Sequence, residues 1–299
     1  MATLYTHREE NIAKTWVLML VFLCIVMAIG WALSVYFNNS AIVVAAVVFA
    51  ILTNIWSYWF SDKVVIAMEK AKPASEEEYP DLNRIVENLS ITAGLPKPKV
   101  YVIDDPAPNA FSTGRNAKHA AVAATTGLLT MMNHTELEGV IAHELSHIGN
   151  RDMLVSTVAV VLVGFATLAS NFFLRMSIFG GGGRDRDNRN NPILMVFAIA
   201  LIILAPLLAT LLQLAISRKR EYLADASGAL LTRYPEGLAN ALRKLGAYEA
   251  PMRTASTATA HLYITNPFGA HAATSAIAKL FQTHPPIEDR IRALVGDDR

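Results

Sequence analysis

Two histidines spaced four residues apart form the most chemically specific stretch of this 299-residue chain. His143 and His147 enclose Glu144 in the pattern H-E-x-x-H. Because positions i and i+4 lie on one face of an α-helix, both imidazoles can hold the same zinc ion. Glu144 stands about 100° around that helix, where it can take a proton from zinc-bound water without ligating the metal. The pattern therefore predicts the chemistry of a zinc hydrolase.

The residues around the motif predict the helix that this geometry requires. Thr135 followed by Glu138 has the spacing of a capping box, which marks helix N-termini. Apolar residues then recur at helical intervals: Leu137, Val140, Ile141, Leu145 and Ile148. We expect this helix to continue through residues 150–152 into the long apolar run that follows.

A catalytic zinc site needs a third ligand, because such sites typically combine three protein ligands with one open position. A second pair with i, i+4 spacing, Glu221 and Asp225, is available further along the chain. Glu221 can ligate the metal, while Asp225 can accept the free ring N–H of a ligand histidine and fix the ring's orientation. The alternative is a solvated acidic pair that forms salt bridges with neighbouring basic residues.

Several segments resemble the HtpX-type membrane zinc metalloproteases, distant relatives of the CAAX prenyl proteases. In chain order they are residues 109–114, 143–147, 221–225 and 283–286, with Arg290 beyond. The resemblance covers nearly the whole chain, including its hydrophobic runs. It implies one zinc ion per chain, held by His143, His147 and Glu221, with Glu144 as the catalytic base. It also implies a stress-response endopeptidase of a bacterial-type inner membrane, which cleaves misfolded or damaged membrane proteins.

The same resemblance places two further segments at the active site. His284 and Arg290 are expected to stabilise the oxyanion that develops during hydrolysis. The alternative for them is a capped turn before a last helix, with Arg290 salt-bridged to an adjacent acidic residue. Asn109, Ala110 and Phe111 are expected to form an exposed edge strand along the cleft, which pairs with an extended peptide substrate.

The composition predicts a membrane protein. Charged residues make up 17% of the chain, below the roughly 25% of soluble domains, and the mean hydropathy is +0.33. Uncharged runs span residues 16–37, 41–60, 153–174 and 193–216. Each reaches about 20 residues, enough to cross a ~30 Å hydrocarbon core as a helix. We therefore expect four transmembrane helices, or, alternatively, a pair of full spans and a hairpin that does not cross completely.

Basic residues flank the first, second and fourth runs on one side, which predicts that this side faces the cytoplasm. The arginines of the loop between the third and fourth runs disagree with this orientation. Both halves of the zinc site are expected on the cytoplasmic side, just above the bilayer. The predicted organisation is a two-span anchor (1–60), a first catalytic part (61–152), a two-span hairpin (153–216) and a second catalytic part (217–299).

The soluble segments predict an α+β, gluzincin-like core, in which a zinc-binding helix pair lies beside a small sheet. A helix is expected to open at Ser75 and end near Gly94, followed by a strand at residues 99–103 and short strands within 109–126. Polypeptide substrates and the lipid bilayer are the expected partners. Net charge +1 and the lack of a basic face beyond the membrane flanks give nucleic-acid binding no support. The sequence does not predict an oligomeric state.

Three other functions remain open from the sequence. An intramembrane protease is disfavoured because polar residues such as Glu136, Arg151 and Asp152 crowd the motif. A non-catalytic membrane scaffold with a structural metal is disfavoured because such a site has no need of Glu144. The third alternative is a dedicated processing protease for a lipidated or peptide substrate, and the resemblance to prenyl proteases supports it.

Overall fold

The computed structural model describes residues 4–162, 164, 218–254, 256, 258–269 and 285–296. The loop between the third and fourth apolar runs, the fourth run itself and His284 lie outside these residues. The predicted division into four segments therefore stays a prediction.

Two long helices form the N-terminal part of the chain, α1 (Leu4–Phe37) and α2 (Ala41–Met68). Both are long and apolar enough to cross a membrane. Their outward surfaces carry large apolar side chains such as Trp31, which is 66% exposed. Polar groups lie instead between the helices, where Asn54 Nδ2 donates to the Met19 carbonyl at 3.1 Å. An apolar exterior with a polar interior is the pattern of helices solvated by lipid.

A small mixed sheet follows, with strand order β1-β2-β4-β3. Its strands are β1 (Lys72–Pro73), β2 (Lys99–Ile103), β3 (Ala110–Gly114) and β4 (Ala120–Thr125). β2 and β4 run parallel, while β3 pairs antiparallel with β4. The predicted strand at 99–103 and the short strands within 109–126 are confirmed.

Six described α-helices of the soluble part pack against the sheet or against one another. They are α3 (Pro80–Thr92), α4 (Thr126–Met131), α5 (His134–Asn150), α7 (Arg218–Thr232), α8 (Pro235–Ala247) and α9 (Ile287–Val295). A further helix, α6, is described from Asp152 to Leu162 and begins the third apolar run. One core unites both soluble segments, with Ile141 and Leu145 of α5 packed among Leu238 and Leu242 of α8.

Two helix starts differ from those predicted. Helix α5 is capped by Asn133, whose side chain accepts from the Glu136 N–H while the Glu136 carboxylate accepts from the Asn133 N–H. The capping box therefore lies two residues before the predicted Thr135. Ser75 does accept from the Glu78 N–H at 3.1 Å, but this closes a turn, and helix α3 begins only at Pro80.

The expectation that α5 continues into the third apolar run is wrong. Arg151 adopts a left-handed conformation, with φ 57°, and ends α5. A left-handed residue cannot continue a right-handed helix, so the chain changes direction before α6 begins at Asp152. This bend turns Asp152 back toward the histidines of α5.

Candidate metal centre and active site

The two histidines of the motif and Glu221 converge between helices α5 and α7. The Nε2 atoms of His143 and His147 lie 3.1 Å apart. Glu221 Oε2 lies 3.9 Å from His143 Nε2, and Glu221 Oε1 lies 3.7 Å from His147 Nε2. Gly228 of α7 permits this approach, since a Cβ there would stand 3.0 Å from the His143 backbone nitrogen. The structure thus brings together three of the predicted site residues.

These donors fit a divalent metal ion such as zinc. With bond lengths of roughly 2.0–2.2 Å, the ligand atoms of a tetrahedral zinc stand about 3.3 Å apart. The three groups here offer ligand atoms that all lie within 4.8 Å of one another. Two imidazoles and one carboxylate are also a usual donor set of catalytic zinc.

The far side of the His143 ring is held by a buried ion pair. Asp225 Oδ1 lies 2.9 Å from His143 Nδ1. Arg290 grips the same carboxylate with two bonds, Nε to Oδ2 at 2.8 Å and Nη2 to Oδ1 at 2.7 Å. A carboxylate at Nδ1 leaves the Nε2 lone pair free to face the metal position, which fixes the tautomer.

The His147 ring has a different carboxylate behind it. Asp152 Oδ2 lies 3.3 Å from His147 Nδ1. Helix periodicity did not indicate Asp152, because this residue follows the end of α5 and precedes the start of an apolar run. An acidic residue five positions beyond the second histidine was the available signal. With both Nδ1 atoms facing carboxylates, two Nε2 lone pairs point at each other, an arrangement that favours a cation between them.

The charges around the centre also favour a cation. Burial would lower the pKa of His147, but the hydrogen bond to Asp152 and the charges of Glu221, Asp152 and Glu144 raise it to about 9. Burial would raise the pKa of the Asp225 carboxyl, yet the Arg290 guanidinium and His143 hold it below its usual value. The electrostatic potential is therefore negative at the point where the three ligands meet.

Glu144 lies beside the ligands and is 1% exposed. Neither of its carboxylate oxygens has a hydrogen-bond partner among the described residues. A buried carboxylate is costly unless something binds it, so an unpartnered one in a cavity is suited to a water or substrate group. Both oxygens of Glu144 are available for proton transfer.

A cavity of about 40 Å³ opens in front of the ligands. That volume can hold an ion and a small number of waters. Besides the metal-binding residues, its lining includes Ser112 of the 109–114 segment and side chains that the sequence did not single out: Met153, Ser156, His261, Leu262 and Tyr263. The Tyr263 hydroxyl donates to Glu69, the residue that follows α2, and burial raises its pKa, so it stays a donor. Apart from that of Ser112, no local pattern could have indicated the positions of these wall residues.

The expectation of an exposed edge strand at Asn109–Phe111 is wrong. Ala110 and Phe111 are 0% exposed and Asn109 is 2% exposed. β3 is the last strand of the sheet, but its free edge is covered at Ala110 and Phe111, since Phe111 forms a bridge with Tyr263 and Ile264 N donates to the Ala110 carbonyl at 3.0 Å. The Asn109 amide is used internally, donating to the Thr265 carbonyl at 3.0 Å.

Arg290 does not face the cavity as an oxyanion donor would. Its side chain is 0% exposed, and its third bond runs from Nη1 to the Ile264 carbonyl at 3.0 Å. The guanidinium therefore lies behind His143, engaged with Asp225. The alternative of a salt bridge to an adjacent acidic residue is also wrong, because the partner comes from α7. His284 lies outside the described residues, so its predicted role is not addressed by this geometry.

Comparison with known proteins gives consistent matches. Residues 76–297 match peptidase family M48. A protein named Protease HtpX homolog from Caldanaerobacter subterraneus subsp. tengcongensis is 47% identical, over 98% of this chain and 97% of the relative. Proteins of the same name from Thermoanaerobacter pseudethanolicus and Pyrococcus furiosus are each 48% identical, over 98% and 84% of this chain and 97% and 85% of their own lengths.

A solved structure shares the fold. The crystal structure of S. mikatae Ste24p matches with a TM-score of 0.50 and 20% sequence identity. The match covers 93% of this chain and 62% of the Ste24p chain. At this identity the likeness is one of fold.

Proposed function

The chain belongs to peptidase family M48, and from this premise we propose that it is a zinc-dependent endopeptidase that degrades misfolded or damaged membrane proteins at the cytoplasmic face of a bacterial-type inner membrane. One observation carries the catalytic part of the proposal. A buried carboxylate without a partner among the described residues, that of Glu144, stands beside three convergent ligands, His143, His147 and Glu221.

The residues divide the reaction between them. His143, His147 and Glu221 would hold the ion, and Asp225 and Asp152 orient the two imidazoles. When bound, zinc supplies Lewis-acid activation of water and of the scissile carbonyl. A general base must lie within hydrogen-bond reach of the proton that it takes. Glu144 lies beside the ligands, so we assign to it the transfer of a proton from the attacking water to the leaving amine.

The small cavity limits the amount of water around this exchange. Leu262 and Met153 contribute apolar surface next to the ligands, while Ser112 lies on β3, one residue beyond the part covered by Tyr263. A low-dielectric wall strengthens the electrostatic effects of the site. Exposed peptides of unfolded chains are the substrates that reach such a buried centre, because a folded strand cannot leave its sheet to enter it.

Membrane attachment follows from helices α1 and α2 and the basic residues that flank them. We propose four spans, with the third beginning at α6, and a metal centre close to the bilayer surface on the cytoplasmic side. Lys63 and Lys70 follow the second apolar run and Lys14 precedes the first. The bias of such residues sets orientation.

Side-specific labelling tests this orientation. Ser40 lies in the turn between α1 and α2 and Ser75 lies in the soluble part, and both are exposed. In a Cys24→Ser background, the isosteric variant Ser40→Cys is expected to react with a membrane-impermeant maleimide added outside intact cells. Ser75→Cys is expected to react only after the cells are opened. The reverse pattern, or labelling of both residues from one side, would overturn the proposed topology.

The proposed activity is tested with purified full-length protein in detergent micelles. A destabilised membrane protein should be cleaved, its folded parent should not, and 1,10-phenanthroline should stop cleavage until zinc is restored. Cleavage that resists chelation would contradict the metal mechanism. If the protein cleaved a prenylated peptide but not the destabilised membrane protein, its function would be the processing of a lipidated substrate and not quality control.

A further inference from the structure

The side chain of Asn11, in the N-terminal helix, reaches the soluble part of the molecule. Asn11 of α1 is 2% exposed, and its side chain bonds to residues at least 139 positions away in sequence. Its Nδ2 donates to Asp152 Oδ1 at 2.5 Å and to the Asn150 carbonyl at 3.3 Å. Its Oδ1 accepts from Arg220 Nη1 at 3.5 Å. These three partners stand at the end of α5, the start of α6 and the start of α7.

Asp152 uses its two oxygens on different neighbours. Oδ1 receives the Asn11 amide, and Oδ2 faces His147 Nδ1 at 3.3 Å. The left-handed conformation of Arg151 turns Asp152 toward both of them. A carboxylate that accepts a bond at one oxygen loses rotational freedom, so its other oxygen is fixed in direction.

The two histidine ligands differ in how firmly they are held. His143 is 1% exposed, and its Asp225 partner is gripped by two bonds from Arg290. The His147 side chain is 14% exposed, and the Arg220 charge stands 4.0 Å from its partner Asp152. Asn11 makes a direct bond to Asp152, and so occupies for His147 the place that Arg290 occupies for His143.

We propose that Asn11 is a positioning residue for the metal centre. It aims Asp152 at His147 Nδ1, which holds the Nε2 lone pair toward His143 and Glu221. Metal affinity therefore depends on how the N-terminal membrane helix docks against the α5–α6 junction. The inference rests on the proposed metal site, and it adds a link from that site to a helix that carries none of the ligands.

Zinc affinity of the full-length protein tests this link. Deleting a partner that orients a ligand typically costs 10–100-fold in metal affinity, so Asp152→Ala should weaken zinc binding by roughly that factor in a competition titration with a chelator. Asn11→Ala acts one step further away, and we expect about a tenfold loss. Asn11→Leu keeps the number and branching of the side-chain heavy atoms without the amide and should lose as much.

A double substitution separates positioning from simple helix packing. If Asn11 acts through Asp152, adding Asn11→Ala to Asp152→Ala should weaken zinc binding by less than about twofold more, because coupled residues are not additive. Visible absorption of the cobalt-substituted protein should change in both single variants, since the ring that ligates the metal shifts. Additive losses, or an Asn11→Leu variant that binds zinc like the wild type, would overturn the proposal.

Thr15 is the matched control. It lies one turn along the same helix, is also 2% exposed, and its hydroxyl donates to the Asn11 carbonyl of its own helix. Thr15→Ala should leave zinc affinity and the cobalt spectrum unchanged, and a loss equal to that of Asn11→Ala would contradict the proposal. A wild-type protein that binds no zinc would refute the proposed function itself, whereas tight zinc binding by every variant would refute this inference alone.

Discussion

Replacing Glu144 by glutamine is expected to reduce peptide cleavage by roughly 10²–10⁴-fold, the usual contribution of a general acid–base group. The amide has nearly the same shape as the carboxylate but cannot take the proton of the attacking water. Glu144 is not one of the three groups whose ligand atoms converge, so the variant should retain zinc. Initial cleavage rates and zinc content, measured on the same preparation, test both parts.

Glu138→Gln is the control for this substitution. Glu138 lies on the same helix, has a 32% exposed side chain and pairs with His134 at 3.4 Å. It should change cleavage by less than about twofold, since exposed pairs contribute little. If Glu144→Gln lost its zinc together with its activity, Glu144 would be a metal ligand. If the variant kept full activity, Glu144 would have no role in proton transfer.

Replacing Arg290 by alanine is expected to destabilise the protein by about 3–5 kcal/mol. The guanidinium is 0% exposed and forms two bonds to Asp225, which is 1% exposed. Without it, the buried carboxylate keeps His143 as its one partner among the described residues. Thermal unfolding of the zinc-free protein in detergent should show the loss directly, because bound metal would otherwise add to the stability of the folded state.

Arg292 on the same helix provides the comparison. Its side chain is 61% exposed and its Asp289 partner stands 3.5 Å away, so Arg292→Ala should change stability by at most about 0.5 kcal/mol. The double variant Arg290→Ala with Asp225→Ala should lose less than the sum of the two single losses, because the two residues share one interaction. Equal unfolding temperatures for Arg290→Ala and the wild type would show that the ion pair contributes no net stability.

The parts of the site that the sequence could predict are those governed by helix periodicity. His143, His147, Glu221 and Asp225 come in pairs four residues apart, and a helix turns each such pair to one side whatever surrounds it. The strand at Lys99–Ile103 was predictable for a similar reason, since its β-branched and aromatic residues lie between turn residues.

The parts that escaped prediction depend on contacts between distant segments. Asn109–Phe111 has the pattern of an edge strand, but the chain near Tyr263, about 150 residues later, covers it. Arg290 was assigned to the oxyanion by the resemblance. Its partner in the structure, Asp225, lies 65 residues before it, too far for local spacing to indicate the pair. The bend at Arg151 was not predicted because an arginine rarely adopts a left-handed conformation. The neighbouring residues do not indicate such a conformation either.

A zinc titration of chelator-stripped protein tests the central claim most directly. Cleavage of an unfolded substrate is measured as zinc is added back, alongside the number of zinc ions bound per chain. The proposed centre predicts that activity rises in proportion to bound zinc and levels off at one ion per chain, and that a Glu221→Ala variant fails to bind that ion at the same concentration. Full activity in the stripped protein, or a Glu221→Ala variant that binds zinc and cleaves like the wild type, would contradict it.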